Sequence, residues 1–407
     1  MRLVQSPFFS SFASVWKTVG RGLFLLLCQV PLAVPPSSAM ELTSPVGLPS
    51  LHVPEDNLPN AARIALGRKL FFDRRLSFNG TLSCGMCHVP EQAFTQHELR
   101  TPVGAEGRFV KRNAPSLLNV AYRNLLFHDG RESSLENQVW QPLLKSNEMA
   151  NPSIGFVLDT IRTAEDYSGL FEAAYGEPLT MVTVGMALAS YQRSLLLADS
   201  AFDRWRYGGD DDALEPAAGR GWRLFKASGC ESCHRVGEQS ALFADGLFHD
   251  TGIGYARSMG LDIGGQEVML APGLAPAADV AFQMPVVSDL GRYEATGRSE
   301  DRWRYLTPTL RNVALTRPYM HDGSLPSLSA VIDYYNGGGA GSPDQDSRIR
   351  PLSLSEGEQR DLEAFLRSLT GKGLESLQHD ARSVAIGDVL QALDLPTADR
   401  PAQGIDD

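Results

Sequence analysis

The sequence predicts a mainly α-helical fold made of two tandem domains related by an internal repeat. Three observations support this prediction. The pattern Cys-x-x-Cys-His occurs twice, at 84–88 and at 230–234. A run of helical character containing Leu-Phe precedes each pattern, and a later segment recurs at a constant offset of 193 residues. Self-similarity at a fixed offset indicates that one structural plan is used twice.

The Cys-x-x-Cys-His spacing is the attachment signature of a c-type haem. Two cysteines bind the porphyrin covalently, and the adjacent histidine reaches the iron from its proximal side. Two copies therefore predict two haem c groups, two cytochrome c-type haem domains and redox chemistry. The predicted haem-binding residues are Cys84, Cys87 and His88 in the first motif and Cys230, Cys233 and His234 in the second.

Residues 1–39 are predicted to be a cleaved secretory signal. Lys17 and Arg21 supply positive charge, Gly22–Val34 is an apolar run, and small residues precede a cleavage site after Ala39. A membrane anchor is the alternative, but the run is short for a membrane span. The mature protein is therefore expected in the periplasm.

The cysteine count agrees with export. The chain has five cysteines, and removal of the signal takes away Cys28, which leaves only the four cysteines of the haem motifs. No cysteine then remains for a disulfide or a free thiol. Covalent haem attachment of this type takes place outside the bacterial cytoplasm, so the motifs and the signal predict the same compartment.

The surface is expected to be acidic, because the formal net charge is −11. The predicted signal contains basic residues and no acidic one, so its removal makes the chain more acidic still. An acidic surface disfavours nucleic acid and anionic lipid as partners. It would suit a small electron carrier with a positive patch, although solubility alone explains the charge equally well.

The first predicted domain covers residues 40–207. A helix over 62–72 leads into its haem motif, and a second helical stretch covers Val182–Trp205. The polar segment Tyr207–Leu214, rich in Gly and Asp, interrupts the helical pattern and predicts the domain boundary.

The second predicted domain covers residues 208–375 and repeats the plan, with a helix over 216–225 before its haem motif. It carries an insertion at 255–302, rich in Gly, Ala and Pro, that is expected to be a loop. Residues 376–407 form an acidic C-terminal tail, which is expected to lie on the surface or to be partly disordered.

The repeat allows the two iron sites to be compared residue by residue. Residues 115–121 recur as 308–314 without a gap, and the same offset places Pro142 of the first half at the position of Tyr335 in the second. Proline has no side-chain donor atom, whereas tyrosine can bind iron through its phenolate. The sequence therefore predicts an open haem in the first domain and a haem capped by Tyr335 in the second.

Two further side chains are predicted near the open site. A carboxylate such as Glu148 can carry a proton from the near to the far oxygen of peroxide as the O–O bond breaks. Gln138 can hold the bound oxygen by hydrogen bonding. A surface position for Glu148 is the alternative. The candidate catalytic residues are Glu148, Gln138 and Pro142.

Together these motifs resemble the bacterial dihaem cytochrome c peroxidase and MauG family. The resemblance covers nearly all of the mature chain. It implies that Gln138, Pro142 and Glu148 fall on the distal residues of the peroxide-reactive haem. The segments that carry it are both haem motifs, Leu66–Asp73, Arg112–Pro115, Asp129–Arg131 and Thr307–Asn312.

The resemblance also implies a calcium ion between the haems. Asn113 would provide its side chain, and Thr316 and Pro318 their carbonyl oxygens, which are the oxygen ligands that calcium prefers. At the position of Tyr335 the peroxidases have a methionine and MauG has a tyrosine. A core tyrosine is the alternative, and Tyr334 is the neighbour that would replace Tyr335 if the register is off by one.

Two histidines depart from the family pattern. His128 occupies a position between the haems where the family commonly has tryptophan. Neutral imidazole is harder to oxidise than indole, so rapid charge sharing between the irons is in doubt, and His128 could instead hydrogen-bond a haem propionate. His97 lies nine residues after His88. It is expected to be a solvated loop residue, with distal ligation of the iron as the alternative.

Three functions are compatible with these residues. The first is a periplasmic oxidoreductase that reduces hydrogen peroxide at the first haem, with electrons from a cytochrome c or cupredoxin passed through the second. The next is a MauG-like enzyme that uses a peroxide-derived high-valent haem to oxidise residues of a partner protein. The third is a non-catalytic dihaem electron-transfer protein. The resemblance also allows a homodimer, because peroxidases of this family are often dimeric.

Overall fold

The computed structural model describes residues 40, 42–261 and 288–384. Over these ranges the chain is mainly helical, as the sequence predicts, and contains one two-stranded sheet. None of the helices in these ranges has the length and apolar character needed to cross a membrane. The predicted signal, the middle of the predicted insertion and the end of the predicted tail lie outside the described residues.

The elements follow one another in the order of the two predicted halves. The helices are α1 (Ala61–Phe72), α2 (Cys84–Cys87), α3 (Leu135–Gln138), α4 (Trp140–Leu144), α5 (Ile154–Thr163), α6 (Leu170–Tyr175), α7 (Met181–Ser194), α8 (Ala201–Tyr207), α9 (Pro216–Ala227), α10 (Ile253–Ser258), α11 (Tyr293–Thr296), α12 (Leu328–Asn336), α13 (Glu356–Arg367) and α14 (Leu374–Arg382), and the strands are β1 (Phe248–Asp250) and β2 (Arg304–Leu306).

The first hydrophobic core is built on the crossing of α1 and α7. The Asn60 side chain caps α1, and Thr180 and Thr183 form a capping box at the start of α7. Gly67 lies at the crossing, where a Cβ atom would be 1.8 Å from the carbonyl oxygen of Ala187. The close approach fixes the end of α1, and the first haem motif follows it after a short connection.

The second core repeats this crossing with α9 and α13. A Cβ atom on Gly221 would lie 1.9 Å from the carbonyl oxygen of Asp361. Phe365 of α13 packs its ring against Phe225 of α9, with 5.0 Å between the ring centroids. The two predicted helices that precede the haem motifs are therefore confirmed, and each packs against a later helix of its own half.

Replacement of Gly221 by alanine is expected to destabilise the protein by about 1–3 kcal/mol, because the added methyl group overlaps the backbone of α13. Gly219 is the matched control in the same helix, since no heavy atom lies within 4 Å of its Cβ position. Gly219→Ala is expected to stabilise slightly, because alanine has the higher helix propensity. Denaturant unfolding of both haem-loaded variants measures the difference, and equal stabilities would contradict the close crossing.

The change from the first core to the second falls earlier than the sequence predicts. Instead of one helical stretch over 182–205, α7 ends at Ser194 and α8 begins at Ala201. Ser200 and Asp203 form a capping box that starts the new helix. Phe202 of α8 belongs to the second core, so α8 packs with the second half. We propose that the domain boundary lies near residue 200 rather than 207.

The predicted insertion at 255–302 is bordered by regular structure. Helix α10 enters it and α11 lies near its end, while residues 262–287 lie outside the described ranges. Strand β1 precedes the insertion and pairs antiparallel with β2, which follows it, so that His249 lies opposite Tyr305. The sheet therefore closes the base of the insertion.

The predicted surface tail begins with a packed helix. Leu374, Leu377 and Ala381 of α14 lie against the first core, although they follow the second half in the chain. Gln378 donates a hydrogen bond of 3.2 Å to the carbonyl oxygen of Pro90, close to the first haem motif. Apolar residues at spacings of three and four form one face of a helix, which explains why this segment packs.

Candidate active site

The first haem motif lies in the wall of a cavity of about 340 Å³. Helix α2 places Cys84 and Cys87 three residues apart, so both sulfur atoms are on one face of the helix. The same cavity is lined by His88 and by the predicted distal residues Gln138, Pro142 and Glu148. The residue types needed for covalent attachment, iron ligation and peroxide chemistry are thus brought to one space.

The ring of His88 is held by its backbone surroundings. Its Nδ1 atom lies 3.1 Å from the carbonyl oxygen of Phe94. Since a carbonyl can only accept, Nδ1 carries the proton and Nε2 keeps its lone pair for iron. Burial lowers the pKa of His88 to about 4, so the imidazole is neutral, as a metal ligand must be.

The second haem motif lines a separate cavity of about 330 Å³. Its proximal histidine repeats the arrangement of the first, because Nδ1 of His234 lies 2.9 Å from the carbonyl oxygen of Phe243. Cys230 and Cys233 line this cavity with His234. Burial lowers the pKa of His234 as well. Both donor sets therefore fit a covalently attached haem with a neutral proximal histidine.

Tyr335 lies in the wall of the second cavity, in the same space as His234. Burial raises the pKa of its phenol well above the ordinary value. Tyr334, its neighbour on α12, instead donates its hydroxyl proton to the carbonyl oxygen of Thr251 over 2.6 Å. Of the two tyrosines, Tyr335 is thus the one whose position suits an iron ligand.

Glu148 faces the first cavity on a tight loop after α4. Its carbonyl oxygen accepts from the backbone of Ala105 at 2.8 Å, and the backbone of Met149 donates to Pro142 at 3.0 Å. Burial raises the pKa of Glu148 above its ordinary value, while Lys145 lowers it in part. A buried carboxyl group with a raised pKa can exchange a proton more readily near neutral pH than an exposed one.

A shared wall separates the two cavities. Nε2 of His128 lies 3.0 Å from the carbonyl oxygen of Asn113 and donates its proton there. Burial, with Arg112 nearby, lowers the pKa of His128 to about 3, so its Nδ1 atom is not protonated and cannot donate to a propionate. The residues that line both cavities are Asn113, Ala114, Pro115, Ser116, Arg123 and His128.

The three residues implied as calcium ligands all line the second cavity: Asn113, Thr316 and Pro318. The amide nitrogen of Asn113 donates to the carbonyl oxygen of Arg100 at 2.9 Å. Its side-chain oxygen therefore remains available as an acceptor. This donor set consists of oxygen atoms and fits a hard cation.

His97 is placed neither in the first cavity nor in a solvated loop. Its Nε2 atom lies 2.9 Å from the carbonyl oxygen of Leu315, which belongs to the second half. The ring is half-buried, and Leu315 directly precedes the implied calcium ligand Thr316 in the chain. His97 therefore joins the two halves, a contact that spacing along the chain cannot predict.

The sequence interpretation also missed residues that the fold brings to the cavities. Arg123 lines both of them. The rings of Tyr305 and His321 stack with 3.6 Å between their centroids, and both line the second cavity. The offset of 193 aligns Arg123 with Thr316, which lines only the second cavity, so the repeat gives no signal that Arg123 lines both.

Comparison with known proteins places this chain among dihaem enzymes. A family model for di-haem cytochrome c peroxidase matches residues 61–212. The methylamine utilization protein MauG of Methylorubrum extorquens is 35% identical over 319 residues, which are 78% of this chain and 80% of that protein. The cytochrome-c peroxidase IdrP1 of a Pseudomonas species is 32% identical over 342 residues, which are 82% of this chain and 86% of that protein.

Solved structures share the same architecture. A crystal structure of a MauG-like protein associated with microbial copper homeostasis superposes with a TM-score of 0.68 and 31% identity, over 83% of this chain and 97% of that one. The dihaem peroxidase BthA of Burkholderia thailandensis shares the fold with a TM-score of 0.62, at 23% identity, over 82% of this chain and 92% of that one. The chain belongs to the dihaem cytochrome c peroxidase and MauG family and is an oxidoreductase with two haem c groups.

Proposed function

We propose that this protein reduces hydrogen peroxide at the first haem site, with electrons passed through the second. The observation that carries the proposal is the difference between the two cavities. The first brings Gln138, Pro142 and Glu148 to the motif of His88, whereas the second brings Tyr335 to the motif of His234. The first set of residues would therefore suit the binding of an oxidant, and the second would offer two protein ligands, His234 and Tyr335, to one iron.

Haem bound through His88 would supply the iron site for peroxide and the electrons that split it. Pro142 lines the first cavity and has no side-chain atom that could bind iron, so it would not compete with peroxide there. Glu148 accepts the proton of the inner peroxide oxygen and returns it to the outer oxygen, which leaves as water. Gln138 lines the same cavity, and its amide N–H would donate a hydrogen bond to an oxygen of the bound peroxide. In total, one peroxide, two electrons and two protons give two molecules of water.

A second candidate is favoured by Tyr335. A phenolate stabilises high oxidation states of iron, so a site capped by Tyr335 can retain oxidising equivalents. Such an enzyme would take its two electrons from residues of a partner protein, which is the MauG-like activity. The relatives include a MauG protein at 35% identity and a cytochrome-c peroxidase at 32% identity, so identity alone does not separate the two candidates.

Turnover measurements separate the two candidates. A peroxidase is expected to consume peroxide steadily with a reduced small cytochrome c or cupredoxin as donor. A MauG-like enzyme is expected to show negligible steady turnover with these donors and to remain oxidised for a long time after one equivalent of peroxide. Absence of any reaction between peroxide and the haem-loaded protein would contradict both.

The remaining parts of the proposal concern location and ions. The apolar run before Ala39 and the covalent haem chemistry support a periplasmic protein whose signal is removed near that residue. The oxygen donors Asn113, Thr316 and Pro318 support a calcium ion beside the second cavity. The acidic charge supports a positively charged electron donor. The proposal also includes the assembly of two copies of this chain into a homodimer.

A further inference from the structure

Arg123 is a partly buried cation that has no carboxylate partner in the described part of the chain. Its side chain lines both haem cavities, and it is the only arginine in the described ranges that does so. No described residue forms an ion pair or a side-chain hydrogen bond with its guanidinium group. Its backbone N–H is satisfied by the carbonyl oxygen of Val120 at 3.0 Å.

Other enclosed arginines in the described part of the chain have carboxylate partners. Arg311 lies 2.9 Å from Asp203. Arg112 lies 2.7 Å from Asp289, and Arg193 pairs with Glu136. In the described ranges these three enclosed arginines are neutralised by carboxylates, whereas Arg123, which lines both haem cavities, forms no ion pair.

The missing anion is energetically important. A charge that leaves water without a partner is strongly destabilising, so enclosed charges in proteins are usually paired. Burial alone lowers the pKa of Arg123, with no opposing contribution from a carboxylate. A group that binds in the cavities is expected to supply the missing negative charge.

Haem c carries two propionate carboxylates, and each cavity would hold one haem beside its Cys-x-x-Cys-His motif. A guanidinium group has five N–H donors in a planar fork, so it can serve two carboxylates at once. We propose that Arg123 bridges the two haems by donating hydrogen bonds to one propionate of each. Arg123 is then a positioning residue that holds the cofactors together and raises the reduction potentials of both.

A second orphan donor supports propionates at this wall. His321 is only 7% exposed, and its Nε2 atom has no hydrogen-bond partner among the described residues. It lines the second cavity. Burial lowers its pKa to about 4, so the ring is neutral and keeps one N–H to donate. Two unpartnered donors thus face the space where the second haem would carry its acidic groups.

The inference has an electrostatic consequence that does not depend on peroxide chemistry. A positive charge beside a propionate disfavours the oxidised iron, which carries one more positive charge than the reduced iron. Loss of Arg123 is therefore expected to lower both reduction potentials. The shift should be weakly screened by salt, because the group is enclosed.

The test is a redox titration of the haem-loaded protein followed by its absorption spectrum. Arg123→Gln is expected to reduce the equilibrium constant for one-electron reduction of each haem at least tenfold. This change corresponds to a fall of about 59 mV in each reduction potential. Arg220→Gln is the charge-matched control, since Arg220 is exposed and paired with Asp361. A shift at one haem only, or shifts no larger than those of Arg220→Gln, would overturn the bridge.

A second measurement covers the case in which Arg123→Gln fails to incorporate haem. In an experimental structure of the wild-type holoprotein, guanidinium nitrogens of Arg123 are expected within about 3.2 Å of a propionate oxygen of each haem. A guanidinium that pairs with a protein carboxylate, or that reaches one haem alone, would refute the proposal.

Discussion

Glu148→Gln is expected to slow the reaction of the protein with hydrogen peroxide by about 10²–10⁴-fold, the usual contribution of a positioned general acid–base group. Glutamine has nearly the same shape but can neither accept the peroxide proton nor return it. Glu148 lines the first cavity with His88 and Gln138, which is why the effect should be large. Rapid mixing with peroxide, followed by the haem absorption, measures the rate.

Glu294→Gln provides the matched control for this experiment. Glu294 lines the same cavity, but its carboxylate is engaged by Lys111 and accepts from the backbone of Leu290 at 3.0 Å. Its loss is expected to leave the peroxide rate close to that of the wild type. Similar losses in both variants would show that general changes in the cavity, rather than proton transfer by Glu148, slow the reaction.

The same carboxylate predicts a pH dependence. Glu148 must be ionised to accept a proton, and burial raises its pKa. The peroxide rate should therefore fall as pH is lowered through this raised pKa, and the fall should begin at a higher pH than for an ordinary glutamate. Glu148→Gln should abolish this acidic limb. An unchanged limb in the variant would assign the titration to another group.

Tyr335→Met is expected to change the second haem more than any other single substitution. A neutral thioether stabilises oxidised iron less than a phenolate does, so the potential of this haem should rise. The rise should cover a substantial part of the roughly 0.8 V range that axial ligands span. Steady turnover with a reduced cytochrome should increase at the same time, because the second haem becomes easier to reduce. Spectroelectrochemistry and donor oxidation measure the two effects.

Tyr334→Phe is the control for the tyrosine ligand. It removes a hydroxyl from the adjacent residue, whose proton is donated to the Thr251 carbonyl. It should therefore leave the spectrum of the second haem unchanged. If Tyr334→Phe alters that spectrum and Tyr335→Met does not, the distal ligand is Tyr334. If neither substitution alters it, no tyrosine binds the iron.

The sequence pattern within a short segment was sufficient to predict helices that depend on neighbouring residues. The helices before both haem motifs lie within two residues of their predicted limits. The break between α7 and α8 was missed, although Ser200 and Asp203 have the spacing of a capping box. Most of α14 falls in the predicted acidic tail, because the average composition of that segment hides the helical spacing of Leu377 and Ala381.

Most of the site prediction came from the comparison of the two halves of the internal repeat. It aligned Pro142 with Tyr335, and the structure brings each of them to the haem motif of its own half. The repeat could not indicate which residues of one half contact the other half. His97 reaches Leu315 across 218 residues of chain, and a contact at that separation leaves no local signal.

By itself, the sequence determined the chemistry of this protein: two covalent haem sites, and a difference between them at one aligned position. Those features depend on residue type and short spacing, which the chain carries directly. Only the tertiary structure decided the electrostatics of the wall between the sites. His128 donates to a backbone carbonyl, and Arg123 lines both cavities without an ion pair among the described residues, because segments far apart in the chain meet at this wall.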